Sequence, residues 1–353
     1  MVQIALETQR TPRQIEQFCQ DILPQVSRTF ALSIRFLPGN LGKAVLCGYL
    51  LARIADTIED DPLASIQAKT HLLEEFLHCF DDPVLADRYA QLATGVSGEQ
   101  AHLKLVHNTD QVFALYRSLT PQSQKTLRHW LFEMIRGMQK FVALYPKGLR
   151  VQTLEEYKEY CYYVAGTVGF LLTDLWYEHS PSVDEELYLK LRKTCAEFGE
   201  ALQTVNILKD IAWDAREENA IYIPEASLRE EGSSQAQLLN ADYLQQNHRA
   251  IQSLVKLAWT DLELATQYLE AIPKSAVAIR LFCILPLIFA YATLRDITET
   301  DAMLREGGNV KISRAEVKSL ILFAPLTVVS NHSIRWLVDR VRTHPFLLGK
   351  PAT

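Results

Sequence analysis

Apolar residues recur at helical spacing along almost the whole chain, and this periodicity constrains the fold more than any other feature. Within 41–59, the positions that fit a period of 3.6 residues are Val45, Leu46, Tyr49, Leu50, Ile54 and Ile58. Strand-like alternation is scarce, and a stretch such as 220–223 is too short to build a sheet. The pattern therefore predicts an all-α fold. We expect a single domain over 1–353, with its core at about 12–342.

Proline and glycine are both scarce, and six prolines separate the predicted helices: Pro62, Pro121, Pro146, Pro181, Pro224 and Pro273. Each of the two residue types numbers only 14 in 353 residues, which is low for a loop-rich β protein. Thr11 and Pro12 begin a first helix that ends near Pro24, and Ser27 caps a short second one. Further helices are predicted at 41–59, 63–80, 98–118, 122–144, 153–178, 183–214, 235–271, 274–298 and 313–342.

Charge, cysteine usage and hydropathy exclude several classes of protein. A net charge of −6 argues against nucleic-acid binding, which usually requires a basic surface. The six cysteines form no CxxC pair and indicate reduced, buried thiols in an intracellular protein. The first residues carry no secretory signal, and the longest apolar run, 281–292, is shorter than the roughly 20 residues that span a bilayer. We expect a cytoplasmic protein with at most peripheral membrane contact and no transmembrane anchor.

Two acidic groups share one form. Asp56 and Asp60 lie four residues apart on a predicted helix, so both carboxylates leave the same face. In the second group Asn206, Asp210 and Asp214 make a row at the same spacing, and most residues between them are apolar: Ile207, Leu208, Ile211 and Ala212. Each group alone is more often a solvated helix face. Two such groups in one helical chain favour a shared function.

A divalent cation would offset the repulsion within each acidic group. Like charges four apart on a helix destabilise it by a few tenths of a kcal/mol, and more beside a dry cavity. The set is all oxygen, without nearby His or Cys, and this favours Mg²⁺ over zinc. Arg53, Lys209 and the Ser27-Arg28-Thr29 segment lie where they suit phosphate, although each alone is more often an ordinary surface charge or helix cap. Two facing acidic helices can then hold a diphosphate through bridging Mg²⁺.

Glycines inside a predicted helix mark a third segment, 160–169. Gly166 and Gly169 cost up to about 1 kcal/mol each relative to alanine. Close packing against another helix and close approach of a ligand chain both explain them. Phe170, Leu171 and Leu172 follow directly and can line an apolar pocket.

Taken together, these segments resemble the squalene/phytoene synthase family, the head-to-head prenyl transferases. The residues that carry the resemblance are SRTF at 27–30, LARIADTIEDD at 51–61, YCYYVAGTVG at 160–169, LQTVNILKD at 202–210 and KIS at 311–313. The style is nearest to squalene synthases. The resemblance implies a prenyl-synthase-like helical bundle around a central apolar cavity, and prenyl diphosphates as substrates.

The resemblance also implies a reaction and its alternatives. The expected reaction condenses two farnesyl diphosphates through presqualene diphosphate to squalene, with Mg²⁺ and with reduction by NADPH. One alternative is a dehydrosqualene or phytoene synthase, which uses no reductant. A terpene cyclase or chain-elongating synthase would prefer DDxxD to the DTIED found here. A non-catalytic helical scaffold is the alternative from another class.

Residue roles carried over from the family fall into four sets. The metal ligands implied are Asp56, Glu59, Asp60, Asn206, Asp210 and Asp214. The diphosphate contacts implied are Ser27, Arg28, Arg53, Gln203, Lys209, Tyr291 and Arg314. Tyr160 matches a catalytic tyrosine beside the departing diphosphate, and acts with Arg53 and the four aspartates. Lys311 and Asn206 are implied to contact NADPH.

Three positions depart from the family pattern. Trp213 replaces the glutamate of the second D-x-x-E-D motif, which removes one supporting carboxylate. Lys209 replaces a common arginine, so the bidentate geometry of a guanidinium is lost. Ser313 stands where squalene synthases often have an arginine implicated in binding the cofactor phosphate. The chain also has no GxGxxG motif, so nothing in it predicts a Rossmann-type dinucleotide site.

Overall fold

The computed structural model describes residues 10–27 and 29–348, which form seventeen α-helices. They are α1 (Pro12–Val26), α2 (Thr29–Ile34), α3 (Gly39–Glu59), α4 (Ile66–His78), α5 (Pro83–Leu92), α6 (Gln100–Val106), α7 (Thr109–Arg117), α8 (Pro121–Leu144), α9 (Leu154–Cys161), α10 (Thr167–His179), α11 (Glu185–Leu191), α12 (Cys195–Glu217), α13 (Glu225–Glu230), α14 (Leu244–Ala271), α15 (Val277–Thr298), α16 (Arg314–Thr327) and α17 (Asn331–Thr343). The all-α prediction is confirmed.

Helix starts follow the capping residues seen in the sequence. Thr11 and Gln14 form a capping box at the start of α1, which continues through Pro24 to Val26. The Ser27 hydroxyl accepts the Phe30 N–H at 3.2 Å and so caps α2.

The predicted helices 98–118, 183–214 and 313–342 are each divided in two, and α5 was not predicted. The predicted helix 235–271 begins only at Leu244, after two short 3₁₀ turns. Apolar periodicity shows which face of a helix is buried. When two successive helices bury the same face, the periodicity continues across the break between them. Continuity therefore could not be read from apolar spacing alone.

A short backbone contact takes the place of a sheet. In the described residues the only β-bridge outside helices is the parallel pair Arg150–Ile221. The Val151 N–H donates to the Ile221 carbonyl at 3.1 Å, and the Ile221 N–H donates to the Leu149 carbonyl at 2.9 Å. These bonds fix the segment that follows α12.

The glycines of the third segment lie where two helices nearly touch. Between α9 and α10 the chain makes one π-helical turn, Tyr162–Gly166, which packs on α12 together with α10. A Cβ on Gly169 would lie 1.8 Å from the Cys195 carbonyl oxygen, and one on Gly199 would lie 2.0 Å from the Ala165 carbonyl oxygen. Close helix packing therefore explains the glycines on this side.

α15 is a core helix of the bundle. The whole helix is long and apolar enough to cross a bilayer. The uninterrupted apolar run 281–292 covers only part of it, so the sequence run alone did not indicate this length. However, 78% of its most apolar window is buried inside the protein. Its composition is therefore accounted for by packing.

Candidate functional site

A cavity of about 210 Å³ lies at the centre of the helices. Its walls are mostly apolar and come from α2, α3, α8, the π turn, α10, α12, α14 and α15. The apolar lining includes Phe30, Val45, Leu131, Val168, Leu171, Leu172, Phe198 and Phe282. Four polar residues join the lining, Arg53 and Asp56 from α3 and Gln203 and Asn206 from α12. The cavity thus combines an apolar wall with a polar region between two helices.

The last turns of α3 place the first acidic group. The Arg53 guanidinium donates to the Asp56 carboxylate at 2.5 Å, so that the cation and the carboxylate meet on the cavity wall. Asp60 caps the helix, with its N–H bonded to the Asp56 carbonyl. Glu59 is only 8% exposed, and its Oε2 atom has no hydrogen-bond partner. Asp61 instead accepts hydrogen bonds from Ser97 and two nearby backbone N–H groups, which is a structural role.

α12 carries the second acidic group along one face. Asn206 is exposed at the cavity wall, Asp210 is half-buried, and Asp214 is buried. Lys209 pairs with its neighbour Asp210. Burial, together with the charges of Glu218 and Asp210, raises the pKa of Asp214 to about 8.

The two acidic groups share one electrostatic neighbourhood. Burial raises the pKa of Glu218, and the charges of Asp56 on α3 and Asp210 on α12 raise it further. The pKa of Asp60 is raised well above its ordinary value by burial and by the charges of Asp56 and Glu218. Carboxylates of α3 and α12 therefore lie close enough to repel one another.

The donor set fits a divalent cation that is shared with a substrate. Its oxygens come from carboxylates and one amide, and the unpartnered Glu59 Oε2 atom is a buried acceptor without a donor. No three His, Cys, Asp or Glu side chains in the described residues converge as a preformed cage. Mg²⁺ commonly binds through one or two carboxylates and completes its shell with phosphate and water. The arrangement suits that mode of binding.

Two buried tyrosines lie beside the carboxylates. The Tyr160 and Tyr222 hydroxyls are 3.3 Å apart, and their ring centroids are separated by 5.1 Å. Burial raises the pKa of Tyr160, and the charge of Glu59 raises it further. The pKa of Tyr222 is raised by burial and by the charges of Asp60 and Asp214. Both phenols therefore stay protonated and are able to donate a hydrogen bond.

Two basic side chains approach the site from helices outside the two motifs. The Lys69 ammonium on α4 donates to the Glu59 carbonyl at 2.5 Å, and burial lowers its pKa. His102 on α6 has its pKa lowered by burial and by the positive charge of Arg53. Neither residue carries a sequence signal, because each reaches the site only through the fold.

Other sequence-predicted residues lie apart from the cavity lining. The Tyr291 hydroxyl is bonded to Thr266 at 2.9 Å, and this buried phenol is not among the lining residues. Arg314 is exposed at the start of α16. Lys311 is exposed, and its neighbour Val310 donates its N–H to the Lys209 carbonyl at 3.4 Å, so this loop borders α12. Arg28 lies outside the described residues.

Two site residues were missed although the sequence contained a signal for them. Glu218 continues the row of Asn206, Asp210 and Asp214 by one more step of four. Tyr222 belongs to the stretch 220–223, which was considered only as a strand. Trp213, the departure from the family motif, is 54% exposed at the surface.

Comparison with known sequences gives a consistent result. The family model described as Squalene/phytoene synthase matches residues 23–316. A squalene synthase of Schizosaccharomyces pombe is 27% identical over 314 residues, which cover 87% of this chain and 66% of the relative. A squalene synthase of Nicotiana benthamiana is 28% identical over 334 residues, which cover 91% of this chain and 74% of the relative. A Botryococcus braunii squalene synthase, 32% identical over 203 residues, is matched over 41% of its length.

Solved structures share the fold. A structure of TcSQS with a bound ligand has a TM-score of 0.78 at 23% identity, covering 93% of this chain and 97% of the other. The squalene synthase HpnC of Alicyclobacillus acidocaldarius has a TM-score of 0.56 at 17% identity, and the match covers 82% of this chain and 97% of the other. A dehydrosqualene synthase has a TM-score of 0.51 at 19% identity, covering 94% and 96%. At these identities the likeness shows the fold alone.

Proposed function

Because the chain belongs to the squalene/phytoene synthase family, we propose that it condenses two farnesyl diphosphates head to head, through presqualene diphosphate, to squalene. The observation that carries this proposal is the central cavity, in which an apolar wall meets Arg53, Asp56, Gln203 and Asn206. A prenyl chain needs the apolar wall, and a diphosphate needs the polar region.

The residues of the site have different roles in the ionisation of an allylic diphosphate. Mg²⁺ held by Asp56, Asp60, Asp210 and Asp214 would neutralise the charge of the diphosphate. Arg53 and Gln203 supply hydrogen-bond donors at the cavity wall. Glu59 and Asn206 complete the oxygen set.

In this proposal Tyr160 acts on the leaving group. Its protonated hydroxyl lies next to that of Tyr222, so it is able to donate a hydrogen bond to the oxygens of the departing diphosphate. The apolar lining keeps water from the carbocation that remains. Since the donor is needed most while the bond to the departing oxygen breaks, loss of the hydroxyl should slow ionisation more than it weakens substrate binding.

The reductant is a further part of the proposal. Lys311 lies on an exposed loop bonded to α12, and Asn206 is exposed on that helix, so a cation and an amide are available to NADPH. Ser313 supplies no charge, and its hydroxyl caps α16 by accepting the Glu316 N–H at 3.1 Å. This serine supports the second candidate, a dehydrosqualene or phytoene synthase that needs no reductant.

A product assay tests both candidates. Purified protein is incubated with farnesyl diphosphate and Mg²⁺, with and without NADPH, and the extract is analysed by gas chromatography–mass spectrometry. Squalene formed only with NADPH is the expected result, and dehydrosqualene in both tubes selects the second candidate. A parallel reaction with geranylgeranyl diphosphate detects phytoene. A reaction with excess chelator is the matched control, and product formed there overturns the metal requirement.

A further inference from the structure

α16 carries a row of exposed leucine and valine side chains that nothing in the described chain covers. Its buried face, which includes Leu320 and Ala324, packs on α15 and α17. On the opposite side Leu322 is 66% exposed, Leu326 is 68% exposed, and Val329, directly after the helix, is 62% exposed. The spacing of four and three residues puts them in one row. A contiguous exposed apolar row marks an interaction surface.

Aromatic residues extend this row on its α17 side. Phe323 lies between Trp336 and Phe346, with ring centroids 5.8 Å and 5.1 Å away. Trp336 is 48% exposed. The Leu348 N–H donates to the Ser319 hydroxyl at 3.1 Å, so the chain after α17 returns along α16 with another exposed leucine. We call the surface formed by Leu322, Leu326, Val329, Trp336 and Leu348 the α16 face.

The exposed charges beside the α16 face are mostly positive. Arg314 and Lys318 continue the row toward the start of the helix, and Lys311 precedes it; all three are exposed. Glu316, the sole carboxylate in Arg314–Thr327, is buried and bonded to Arg295 at 2.9 Å, so it does not reach this surface. The one exposed carboxylate on α17 is Asp339.

This local excess of positive charge contrasts with the chain as a whole, which carries a net charge of −6. An overall acidic protein gains no general attraction to anionic surfaces, so binding there requires a local basic face. Leucine, valine and tryptophan next to lysine and arginine are the side chains that enter the boundary of an anionic bilayer. Tryptophan prefers that boundary because it is both apolar and a hydrogen-bond donor.

We propose that the α16 face docks the protein on the surface of an anionic lipid bilayer, without spanning it. The aliphatic row enters the region between headgroups and acyl chains. Lys318 and Arg314 then lie against the lipid phosphates. The inference goes beyond the proposed reaction, since it concerns residues outside the cavity.

Vesicle flotation tests the proposal. The full chain is mixed with vesicles of phosphatidylcholine alone, or of phosphatidylcholine with phosphatidylglycerol, in the absence of substrate. We expect binding that is stronger by about tenfold on the anionic vesicles and that weakens as salt is added. No substrate or turnover is needed, so failure here leaves the proposed reaction intact, and a failed product assay leaves this result intact.

Two variants locate the surface. Leu322→Gln combined with Leu326→Gln should lower binding to both kinds of vesicle by about tenfold or more. Lys318→Glu should weaken binding only to the anionic vesicles. All three side chains are exposed, so circular dichroism and thermal unfolding should match those of the wild type. The matched controls are Leu63→Gln and Leu189→Gln, which change exposed leucines on other parts of the chain.

Three results would overturn the proposal. If the wild type stays unbound with both vesicle compositions, there is no docking surface. If the controls lose as much binding as the double variant, the effect is not specific to the α16 face. The third result would come from gel filtration without lipid. If the wild type is a dimer there and the double variant is a monomer, the α16 face binds a second copy of the chain.

Discussion

The Glu59 side chain shows what the acidic site costs the folded protein. Burial and the charge of Asp56 raise its pKa to about 8, so it is largely protonated at neutral pH. Its Oε2 atom is buried without a hydrogen-bond partner, an arrangement that typically costs about 1–3 kcal/mol. A bound cation would remove this cost. Substitution of the proposed metal-binding residues is therefore the strongest test at the scale of single residues.

Asp56→Asn and Asp210→Asn should each lower kcat by about a hundredfold or more, because each removes a charge that holds the metal and the diphosphate. The helical circular dichroism signal should not change, since neither carboxylate supports the fold. Asp81→Asn, at an exposed carboxylate paired with Arg128, is the control and should leave turnover unaffected. Near-normal turnover in either site variant removes that aspartate from the metal site.

Tyr222→Phe should lower kcat by about five- to tenfold, since a hydrogen bond to Tyr160 is worth roughly 1 kcal/mol. If Tyr222 acts through Tyr160, the same change in a Tyr160→Phe background should have almost no effect. Tyr89→Phe removes another buried phenol, one that donates to the Leu72 carbonyl at 2.7 Å. That control should lose stability and keep its turnover. Additive losses at Tyr160 and Tyr222 contradict the coupling.

At the scale of the helices, the contact between α10 and α12 leaves no room for a Cβ atom at Gly169. Gly169→Ala should destabilise the protein by about 1–3 kcal/mol or more, because the new Cβ would overlap the Cys195 carbonyl oxygen. Urea denaturation measures the loss. Gly48→Ala is the matched control, since its Cβ would meet side-chain atoms at 3.7–3.8 Å, an ordinary contact, and alanine is favoured within a helix. Equal stability of the two variants would refute close packing at Gly169.

The α12–α14 contact should make stability depend on pH. Burial and the charge of Glu197 raise the pKa of Asp261 from 3.8 to about 7. Across that window the folded protein binds more protons than the unfolded chain, so raising the pH lowers the free energy of unfolding. Asp261→Asn should reduce this dependence, measured in urea titrations with chelator present at two pH values inside the window. Asp242→Asn, at an exposed carboxyl, should keep the wild-type slope.

Helices with a strong apolar stripe were predictable, whereas their breaks were not. The predicted 122–144 and 274–298 lie close to α8 and α15, because long stripes and flanking prolines define them. The division of 313–342 into α16 and α17 depends on packing that periodicity does not report. The same limit applies to the site. Rows within one helix were visible in the sequence, but Lys69 and His102 join them only across the fold.

For the molecule as a whole, the acidic site predicts that Mg²⁺ and diphosphate together stabilise the fold more than either ligand alone. Mg²⁺ with inorganic diphosphate should raise Tm by about 4 °C at one hundred times the Kd, and neither ligand alone should match this. Diphosphate alone meets a wall of carboxylates, and Mg²⁺ alone lacks part of its shell. Differential scanning fluorimetry measures the shift. The Asp56→Asn variant should lose it, and no shift in the wild type would favour the non-catalytic scaffold.

The exposed indole of Trp213 gives the protein an optical reporter of its own site. It neighbours Asp214 on α12, and its ring is in contact with solvent. Indole emission responds to charge and to the polarity of its surroundings. Neutralisation of the adjacent carboxylates should therefore change the emission spectrum without any attached dye. The difference in emission between the wild type and a Trp213→Phe variant separates this indole from the other four tryptophans. A position that departs from the family motif thus offers a way to follow ligand binding in stopped-flow experiments, before any product forms.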